Sequence, residues 1–271
     1  MISGATVLSS EFIPLYHYMP GGVALALWIP ICRANCVYCP WYASSSLKEV
    51  DLITVNIDRV IEIIHRVRAD YVFIHGGEPL EFIEPEVLDK LCSFKVPLGA
   101  KLRIESLSNF QEILEKFDVV LIEVMLSRCS EVKRYYEIIS SLSAEIILVS
   151  ERGIVTNEIL RCLECLESIS KPIHIYLELD IKDANRIAKY GHDIGIKYLY
   201  FPLVRVADLN TTYCPKCGSI IIYREGGIIL RYRVRNTKCP ICGANILYRA
   251  IPTKIRTGIN YAMPRELLTD T

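Results

Sequence analysis

Three cysteines, Cys32, Cys36 and Cys39, lie within eight residues of one another in the segment Cys32-Arg-Ala-Asn-Cys36-Val-Tyr-Cys39-Pro40. Three thiolates at this spacing can each bind a different iron on one face of a four-iron cluster. Because the loop supplies no fourth cysteine, one iron would stay open to another ligand, as one position stays open in a catalytic zinc site. A structural zinc with a distant fourth ligand, or three buried cysteines, is compatible with the same spacing.

A second motif, His75-Gly76-Gly77-Glu78-Pro79, follows the next strand-like segment. The two glycines let the backbone approach a ligand closely, and the Glu78 carboxylate can accept hydrogen bonds from an ammonium group. Alone, this sequence is more typical of an ordinary turn. However, loops that follow successive strands of a parallel barrel share its C-terminal rim, where active sites lie. We therefore predict that the two motifs form one site.

Four further cysteines form two copies of one pattern, Cys214-Pro-Lys-Cys217-Gly218 and Cys239-Pro-Ile-Cys242-Gly243, with 21 residues between them. Each copy predicts a tight metal-binding knuckle, in which the closing glycine adopts a positive φ and backbone N–H groups point at sulfur. The intervening segment predicts a β-hairpin, with strands at Ser219–Arg224 and Ile228–Arg235 around Glu225-Gly226-Gly227. The module is therefore predicted to be a zinc ribbon. Iron in the same sulfur cage is the alternative, because ligand geometry does not separate the two metals.

The cysteine loop and the glycine-rich turn together resemble the signature of the radical S-adenosylmethionine (SAM) superfamily, C-x3-C-x-(aromatic)-C followed by GGE. The resemblance implies that Cys32, Cys36 and Cys39 bind a [4Fe-4S] cluster whose free iron chelates SAM. It further implies that Tyr38 packs near the adenine and that Gly76, Gly77 and Glu78 hold the methionyl ammonium. An electron from the reduced cluster would then cleave the sulfonium and produce a 5′-deoxyadenosyl radical that abstracts hydrogen.

A narrower resemblance covers both ends of the chain. The opening Pro14-Leu-Tyr16-His17-Tyr-Met-Pro20-Gly21 and the segment 195–218 are similar to the AmmeMemoRadiSam-type enzymes, relatives of the pyruvate formate-lyase activating enzymes. Two patterns of the activating enzymes are altered: Asp-x-Lys becomes Glu123-Val-Met125, and Thr-Asn-Gly is at best Ser108-Asn109-Phe110. Asn109 and Glu123 are therefore candidate SAM contacts. A structural polar group at the end of a strand explains each of them at least as well.

The elements that position these motifs follow from alternating apolar strand-like and amphipathic helix-like segments, which predict a parallel sheet. About 180 residues are available where a closed eightfold barrel usually needs about 250, so the predicted fold is α/β, an open partial (β/α)6-7 barrel with a small C-terminal zinc-ribbon β module. The predicted domains are a lead-in at 1–22, the barrel at 23–205, the ribbon at 206–250 and a tail at 251–271. Strands are predicted at Val23–Ile29, Tyr71–His75, Lys101–Ser106, Val119–Met125, Glu145–Val149, Ile173–Leu179 and Lys197–Phe201, and helices at Val55–Arg68, Pro85–Phe94, Gln111–Phe117, Glu131–Leu142, Asn157–Ile169 and Lys182–Gly191.

The charge distribution supports a boundary near residue 206. The segment from Thr211 to Arg265 holds ten basic side chains and one acidic side chain, so its formal charge is +9 and that of the remaining chain is −9. Period-2 alternation places Arg231, Arg233 and Arg235 on one face of the second hairpin strand. This face could dock on the acidic body of the same chain, bind RNA or another polyanion, or bind a protein partner.

Composition limits the cellular context. Charged residues make up 23% of the chain and mean hydropathy is positive at +0.28, which excludes a disordered chain. No apolar run approaches the roughly 20 residues of a membrane-spanning helix, and no secretory signal is visible, so a cytoplasmic protein that contacts no membrane is predicted. Eleven cysteines are then expected to be metal ligands and not a disulfide framework. Cys162 and Cys165, at i and i+3 of a predicted helix, are expected to be buried there, with an auxiliary cluster as the alternative.

The sequence thus predicts a radical SAM enzyme that makes a 5′-deoxyadenosyl radical, with hydrogen abstraction from a protein glycine as the reaction that the narrower resemblance implies. A protein or small-molecule substrate is favoured, and an electron donor such as ferredoxin or flavodoxin is expected. Modification of RNA through the basic ribbon is a second hypothesis. An iron–sulfur and zinc module that only transfers electrons or recruits partners is the third.

Overall fold

The computed structural model describes residues 2–29, 31–32, 39, 52–153, 155–246 and 250–269. Two predicted site residues, Cys36 and Tyr38, therefore lie outside the described residues. The described chain forms a nine-stranded sheet and a separate three-stranded sheet.

Seven consecutive parallel strands make up most of the large sheet, and they neighbour one another in chain order. The strands Asn260–Ala262 and Leu199–Tyr200 lie at opposite edges, so the sheet is open. This arrangement confirms the α/β class and is consistent with the predicted partial barrel. The parallel strands are β2 (Val23–Ile29), β3 (Tyr71–Gly76), β4 (Leu98–Arg103), β5 (Val119–Met125), β6 (Ala144–Val149), β7 (Ile173–Ile175) and β8 (Leu199–Tyr200).

Helices lie between the parallel strands, as the apolar periodicity predicts. Asn56 caps the first of them by accepting a hydrogen bond from the Asp58 backbone N–H at 2.8 Å, and Asp180 caps the last through Asp183 N–H at 2.7 Å. The predicted helix at Glu131–Leu142 is instead two short helices separated at Tyr135. The helices are α1 (Ile57–Val67), α2 (Pro85–Ser93), α3 (Gln111–Leu114), α4 (Glu131–Arg134), α5 (Tyr136–Ser141), α6 (Thr156–Leu166) and α7 (Ile181–Asp193).

Strand β4 begins three residues before the predicted start at Lys101. Its first residues, Leu98-Gly-Ala, have weak β propensity, so the sequence pattern hides them. The strand ends at Arg103, and a 3-10 helix over Ile104–Asn109 replaces the predicted end of the strand.

Two strands come from segments with no strand prediction. Strand β1 (Gly4–Ser9) pairs antiparallel with β2, and β12 (Asn260–Ala262) pairs antiparallel with β1. The lead-in and the tail therefore both extend the large sheet, although each was predicted to lie outside the barrel. Pairing over such sequence separations leaves no local periodicity to detect.

The two faces of the large sheet are covered differently. Helices α1, α2, α6 and α7 pack against one face and form the main apolar core. The other face, called the inner face below, is covered at the start of the parallel strands by the lead-in, which contributes Ile13, Leu15, Tyr18 and Met19 to a second apolar cluster.

The predicted hairpin of the C-terminal module is present as β10 (Ile220–Glu225) and β11 (Ile228–Tyr232), with β9 (Thr212–Tyr213) on the other side of β10. Strand β11 ends at Tyr232, earlier than the predicted Arg235. Ile221, Ile222, Ile229 and Ile246 form a small core together with two of the module's cysteines.

Cys129 and Cys162 form a disulfide across 33 residues, with their Cα atoms 5.2 Å apart. For these two cysteines the pairing corrects the expectation of metal ligands, and it removes Cys162 from the alternative auxiliary cluster. The expected burial of Cys162 is confirmed. None of the helices in the described ranges is long and apolar enough to cross a bilayer.

Candidate functional site

The glycine-rich turn and the start of the cysteine loop are in direct contact. Gly77 N–H donates to the Ile29 carbonyl and Glu78 N–H donates to the Ile31 carbonyl, both at 3.0 Å. A methyl group at Gly77 would lie 2.4 Å from Ile31 O and 2.5 Å from Cys32 Cβ. The structure therefore brings the two sequence motifs together at the C-terminal rim, and only glycine fits between them.

Gly76 is also required as glycine in the same turn, for its backbone conformation and for its close approach to the neighbouring strand. Its φ is +125°, and a Cβ there would lie 2.0 Å from the Ile29 carbonyl oxygen. An L-residue would be strained by the conformation and by the contact together, which explains glycine at both positions of the motif.

Glu78 is a buried carboxylate with an unused acceptor. Its side chain is 1% exposed; Oε1 accepts from Arg103 N–H at 3.3 Å, and Oε2 has no hydrogen-bond partner among the described residues. Burial raises the pKa of Glu78, and the nearby charge of Lys101 partly offsets this. A buried acceptor without a donor is costly, so the site is suited to a ligand that brings its own N–H groups, such as an ammonium.

Lys101 is a site residue that sequence reasoning missed. It lies on β4 and donates from Nζ to Glu123 Oε2 on β5 at 3.0 Å, with both side chains buried. Its charge also acts on Glu78 and on His75. The available signal was a lysine inside an apolar strand, where a charge requires a partner. Glu123 is thus beside the predicted site, but its carboxylate is engaged by Lys101.

His75 on β3 and Trp28 on β2 are cross-strand neighbours near the C-terminal ends of their strands. Their rings stack with centroids 4.6 Å apart and 16° between planes. Burial, with the charge of Lys101, lowers the pKa of His75 well below its usual value, so the imidazole is neutral. Trp28 and Cys39 both pack against the inner-face apolar cluster.

Asn109 is not brought into this group. It is exposed at the end of the 3-10 helix that follows β4, and no contact described for it joins it to Glu78 or Glu123. Cys32 and Cys39 are partly buried. The predicted residues that the structure brings together at the rim are therefore Cys32, Gly76, Gly77 and Glu78, with Lys101 and Glu123 beside them.

The opposite end of the inner face is closed by a second buried glutamate, Glu145 on β6. Its carboxylate accepts three successive backbone N–H groups of the lead-in, from Tyr16, His17 and Tyr18 at 2.8 to 2.9 Å. His174 Nε2 lies 2.8 Å from the same carboxylate. Burial opposes ionisation, but the hydrogen bond from His174 and those from the backbone outweigh it and lower the pKa of Glu145.

His17 is a structural residue at this closed end. Its Nδ1 is 2.7 Å from the Ile246 carbonyl, and its Nε2 is 2.7 Å from the Tyr200 hydroxyl. Burial lowers the pKa of His17 to about 4, so the ring is neutral near pH 7. Because a carbonyl only accepts, Nδ1 carries the proton and Nε2 accepts from Tyr200.

Arg224 of the ribbon hairpin enters the same closed end. It is fully buried and donates to the Tyr16 carbonyl at 2.8 Å and to Thr212 Oγ1 at 2.7 Å. The guanidinium lies over the Tyr16 ring at 4.3 Å, and its Nε is 3.5 Å from Glu11 Oε1. The lead-in thus connects the ribbon to the large sheet.

The C-terminal cysteines form a compact four-sulfur site. The ligand atoms of Cys214, Cys217, Cys239 and Cys242 all lie within 4.8 Å of one another, with 3.4 Å between Cys214 and Cys242 and 3.7 Å between Cys217 and Cys239. Tetrahedral coordination with Zn–S bonds of about 2.3 Å requires sulfurs roughly 3.8 Å apart. The geometry therefore fits a single tetrahedral metal ion.

The two knuckles of this site have the same hydrogen bonds. Gly218 N–H donates to Cys214 O at 2.8 Å and Gly243 N–H donates to Cys239 O at 3.0 Å, with φ of +68° and +73° at the two glycines. Ile241 N–H points at Cys239 Sγ at 3.4 Å. Desolvation opposes the Cys239 thiolate, but hydrogen bonds from Ser219 and the backbone outweigh it and lower the pKa of Cys239 to about 6. The predicted knuckle geometry is thus present in both copies.

No family model matches this chain, and no curated protein matches its sequence. Among solved structures, the chain is similar to QueE from Escherichia coli with a TM-score of 0.39 and 13% identity, over 64% of this chain and 91% of QueE. A similarity at this level assigns no family, so the function must be argued from the residues and their contacts.

Proposed function

We propose that this chain is a radical SAM enzyme in which Cys32, Cys36 and Cys39 hold a [4Fe-4S] cluster and the Gly76-Gly77-Glu78 turn holds SAM. The observation that carries the proposal is the contact of Gly77 with Cys32, next to the unused buried oxygen of Glu78. When bound, the reduced cluster supplies the electron for reductive cleavage of the SAM sulfonium.

The chain's own residues account for binding and orientation. Glu78 Oε2 accepts from the methionyl ammonium, which offsets the cost of burying the carboxylate. The Gly76 and Gly77 backbone allows the ligand's amino acid portion to approach the cysteine loop without side-chain obstruction. Lys101 is held by Glu123, and its positive charge favours the ionised form of Glu78.

We further propose that the four C-terminal thiolates hold zinc, with iron as the alternative. The four ribbon cysteines group with one another, and we propose that Cys32, Cys36 and Cys39 serve a separate site. Hydrogen abstraction from a protein glycine, as in the activating enzymes, stays a prediction, as does a ferredoxin or flavodoxin electron donor.

The test is anaerobic. Protein reconstituted with iron and sulfide is incubated with dithionite and SAM, and 5′-deoxyadenosine is measured. The wild type should form it, while Glu78→Gln should lower the rate about 100-fold, because the amide presents a donor where the ammonium needs an acceptor. Glu86→Gln, at an exposed position on α2, is the matched control and should retain the wild-type rate.

The non-enzymatic hypothesis predicts a different outcome in the same samples. A pure electron-transfer module would show a cluster whose electron paramagnetic resonance spectrum does not change when SAM is added. That result, together with the absence of 5′-deoxyadenosine from protein with a full cluster, would overturn the proposed function.

A further inference from the structure

A row of exposed cations begins near the end of β11 and continues just beyond it, and none of them has an ion-pair partner among the described residues. Arg231, Arg233 and Arg235 are all exposed, whereas Tyr232 and Val234 between them pack against the ribbon core. No salt bridge joins any of the three arginines to another side chain in the described ranges. The predicted alternation is therefore confirmed, and the arginine row faces solvent.

Docking of the ribbon on the acidic body does not use this row. Among the described cations of the C-terminal region, Arg224 and Arg256 contact the lead-in and the large sheet; Arg256 pairs with Asp70 at 2.8 Å and donates to the Val67 carbonyl at 3.1 Å. Internal docking, one of the interpretations of the basic segment, thus accounts for these two arginines and leaves the row available for another partner.

Two tyrosines lie on the same face as the arginine row. Tyr223 on β10 is the cross-strand partner of Arg231 on β11, so their side chains point to the same side. Tyr213 on β9 is 37% exposed and is electrostatically coupled to Tyr223. Its hydroxyl donates to Asp208 at 3.3 Å, and this hydrogen bond does not cover the face of the ring. From β9 through β10 to β11, this face therefore presents Tyr213, Tyr223 and Arg231 in that order.

We propose that this face, defined by Tyr213, Tyr223, Arg231, Arg233 and Arg235, binds single-stranded nucleic acid. Strand β11 ends at Tyr232, but Arg233 N–H still donates to the Ile221 carbonyl at 2.9 Å, so the pairing with β10 continues past Arg231. Alternate residues of an extended chain are roughly 6.7 Å apart, a spacing comparable with that of successive phosphates along an extended strand. Arginines along such a row can contact consecutive phosphates, while bases stack on the exposed Tyr213 ring and the half-buried Tyr223 ring. The segment Thr211 to Arg265 has a formal charge of +9, so the surrounding charge favours a polyanion even with Asp208 beside Tyr213. This inference is independent of radical chemistry.

The experiment measures fluorescence anisotropy of a labelled 12-nucleotide single-stranded RNA of mixed sequence with the full-length protein, without SAM. Binding should weaken with salt with a log–log slope of about −2, because three arginines each release about 0.7 of a counterion. The triple variant Arg231→Gln, Arg233→Gln, Arg235→Gln should bring the slope close to zero. The matched control changes three exposed cations of α7, Lys182→Gln, Arg186→Gln and Lys189→Gln, and should leave binding unchanged.

A second pair of variants separates nucleic acid from an acidic protein. Tyr223→Leu should weaken RNA binding about tenfold, whereas Tyr223→Phe should keep it, since stacking needs the ring and not the hydroxyl. Three results would overturn the proposal: no RNA binding by correctly folded protein, equal weakening by both triple variants, or displacement of RNA by polyglutamate together with insensitivity to Tyr223→Leu. The last result would instead identify an acidic polypeptide as the partner. Loss of 5′-deoxyadenosine formation affects none of these readouts.

Discussion

The two ends of the inner face each bury a glutamate, and the two carboxylates are treated in opposite ways. Glu145 receives three backbone N–H groups and the His174 ring, and its pKa is lowered. Glu78 receives one long hydrogen bond, keeps Oε2 without a described partner, and has a raised pKa. The difference shows that burial alone does not mark a functional carboxylate. Glu145 is satisfied by donors of the protein itself, whereas the open acceptor of Glu78 supports our proposal that this carboxylate binds a ligand.

The largest effect should come from the closed end. Glu145→Gln replaces an acceptor oxygen by an NH2 group that faces backbone donors, and we expect the free energy of unfolding to fall by about 4 kcal/mol. Because the pKa of Glu145 is lowered, its contribution is present above the ordinary glutamate pKa and is lost as pH falls through the lowered value. Urea denaturation at several pH values measures both. Glu137→Gln on α5, which is exposed, is the control and should change little.

Arg224 provides the next test of the closed end. Arg224→Met should cost about 3 kcal/mol, because it leaves Glu11 buried without its cation. Adding Glu11→Gln should recover part of this loss, since removing both charges costs less than removing one. Denaturation of the single and double variants gives the coupling energy. Strictly additive losses would show that the pair is not what joins the ribbon to the lead-in.

At the rim, Gly77→Ala tests the close contact between the motifs. The added methyl must displace the Ile31 carbonyl and the Cys32 side chain, which should cost about 2 kcal/mol and lower the iron bound per chain after reconstitution. Gly4→Ala is the control, because nothing lies within 4 Å of a Cβ at that position. Normal iron content and stability in Gly77→Ala would show that the close contact between the turn and the cysteine loop is not needed for either property.

The smallest effect should have the opposite sign. Glu78→Gln should stabilise the protein without ligand by about 1 kcal/mol near neutral pH, because it removes a buried charge that is poorly solvated. A raised pKa means that wild-type stability is greatest where Glu78 is protonated and declines as pH rises through that pKa. The gain should therefore shrink at acid pH. Destabilisation at neutral pH would place Glu78 in the same class as Glu145 and remove the contrast between the two ends.

Much of this arrangement was predictable from local sequence. Strands β2 and β5 have the predicted bounds, since an uninterrupted apolar run is a local signal of a buried parallel strand. Both knuckles have the predicted positive φ at glycine, because a tight turn is determined by a few adjacent residues. The placement of Gly77 beside Cys32 followed from a topological rule about where successive loops meet. The domain boundaries stay a prediction.

The rest depended on contacts between distant residues. Lys101 pairs with Glu123 on the neighbouring strand. The lead-in folds onto Glu145, and the residues joined by these hydrogen bonds are 127 to 129 positions apart in the sequence. Nothing in the sequence around Glu145 distinguishes it from Glu78 as a buried carboxylate. Sequence alone determined which groups could bind iron, zinc and an ammonium, because ligand chemistry belongs to residue types and short spacings. Only the tertiary structure decided which buried charges are already paired, because the donors that satisfy a carboxylate come from other parts of the chain.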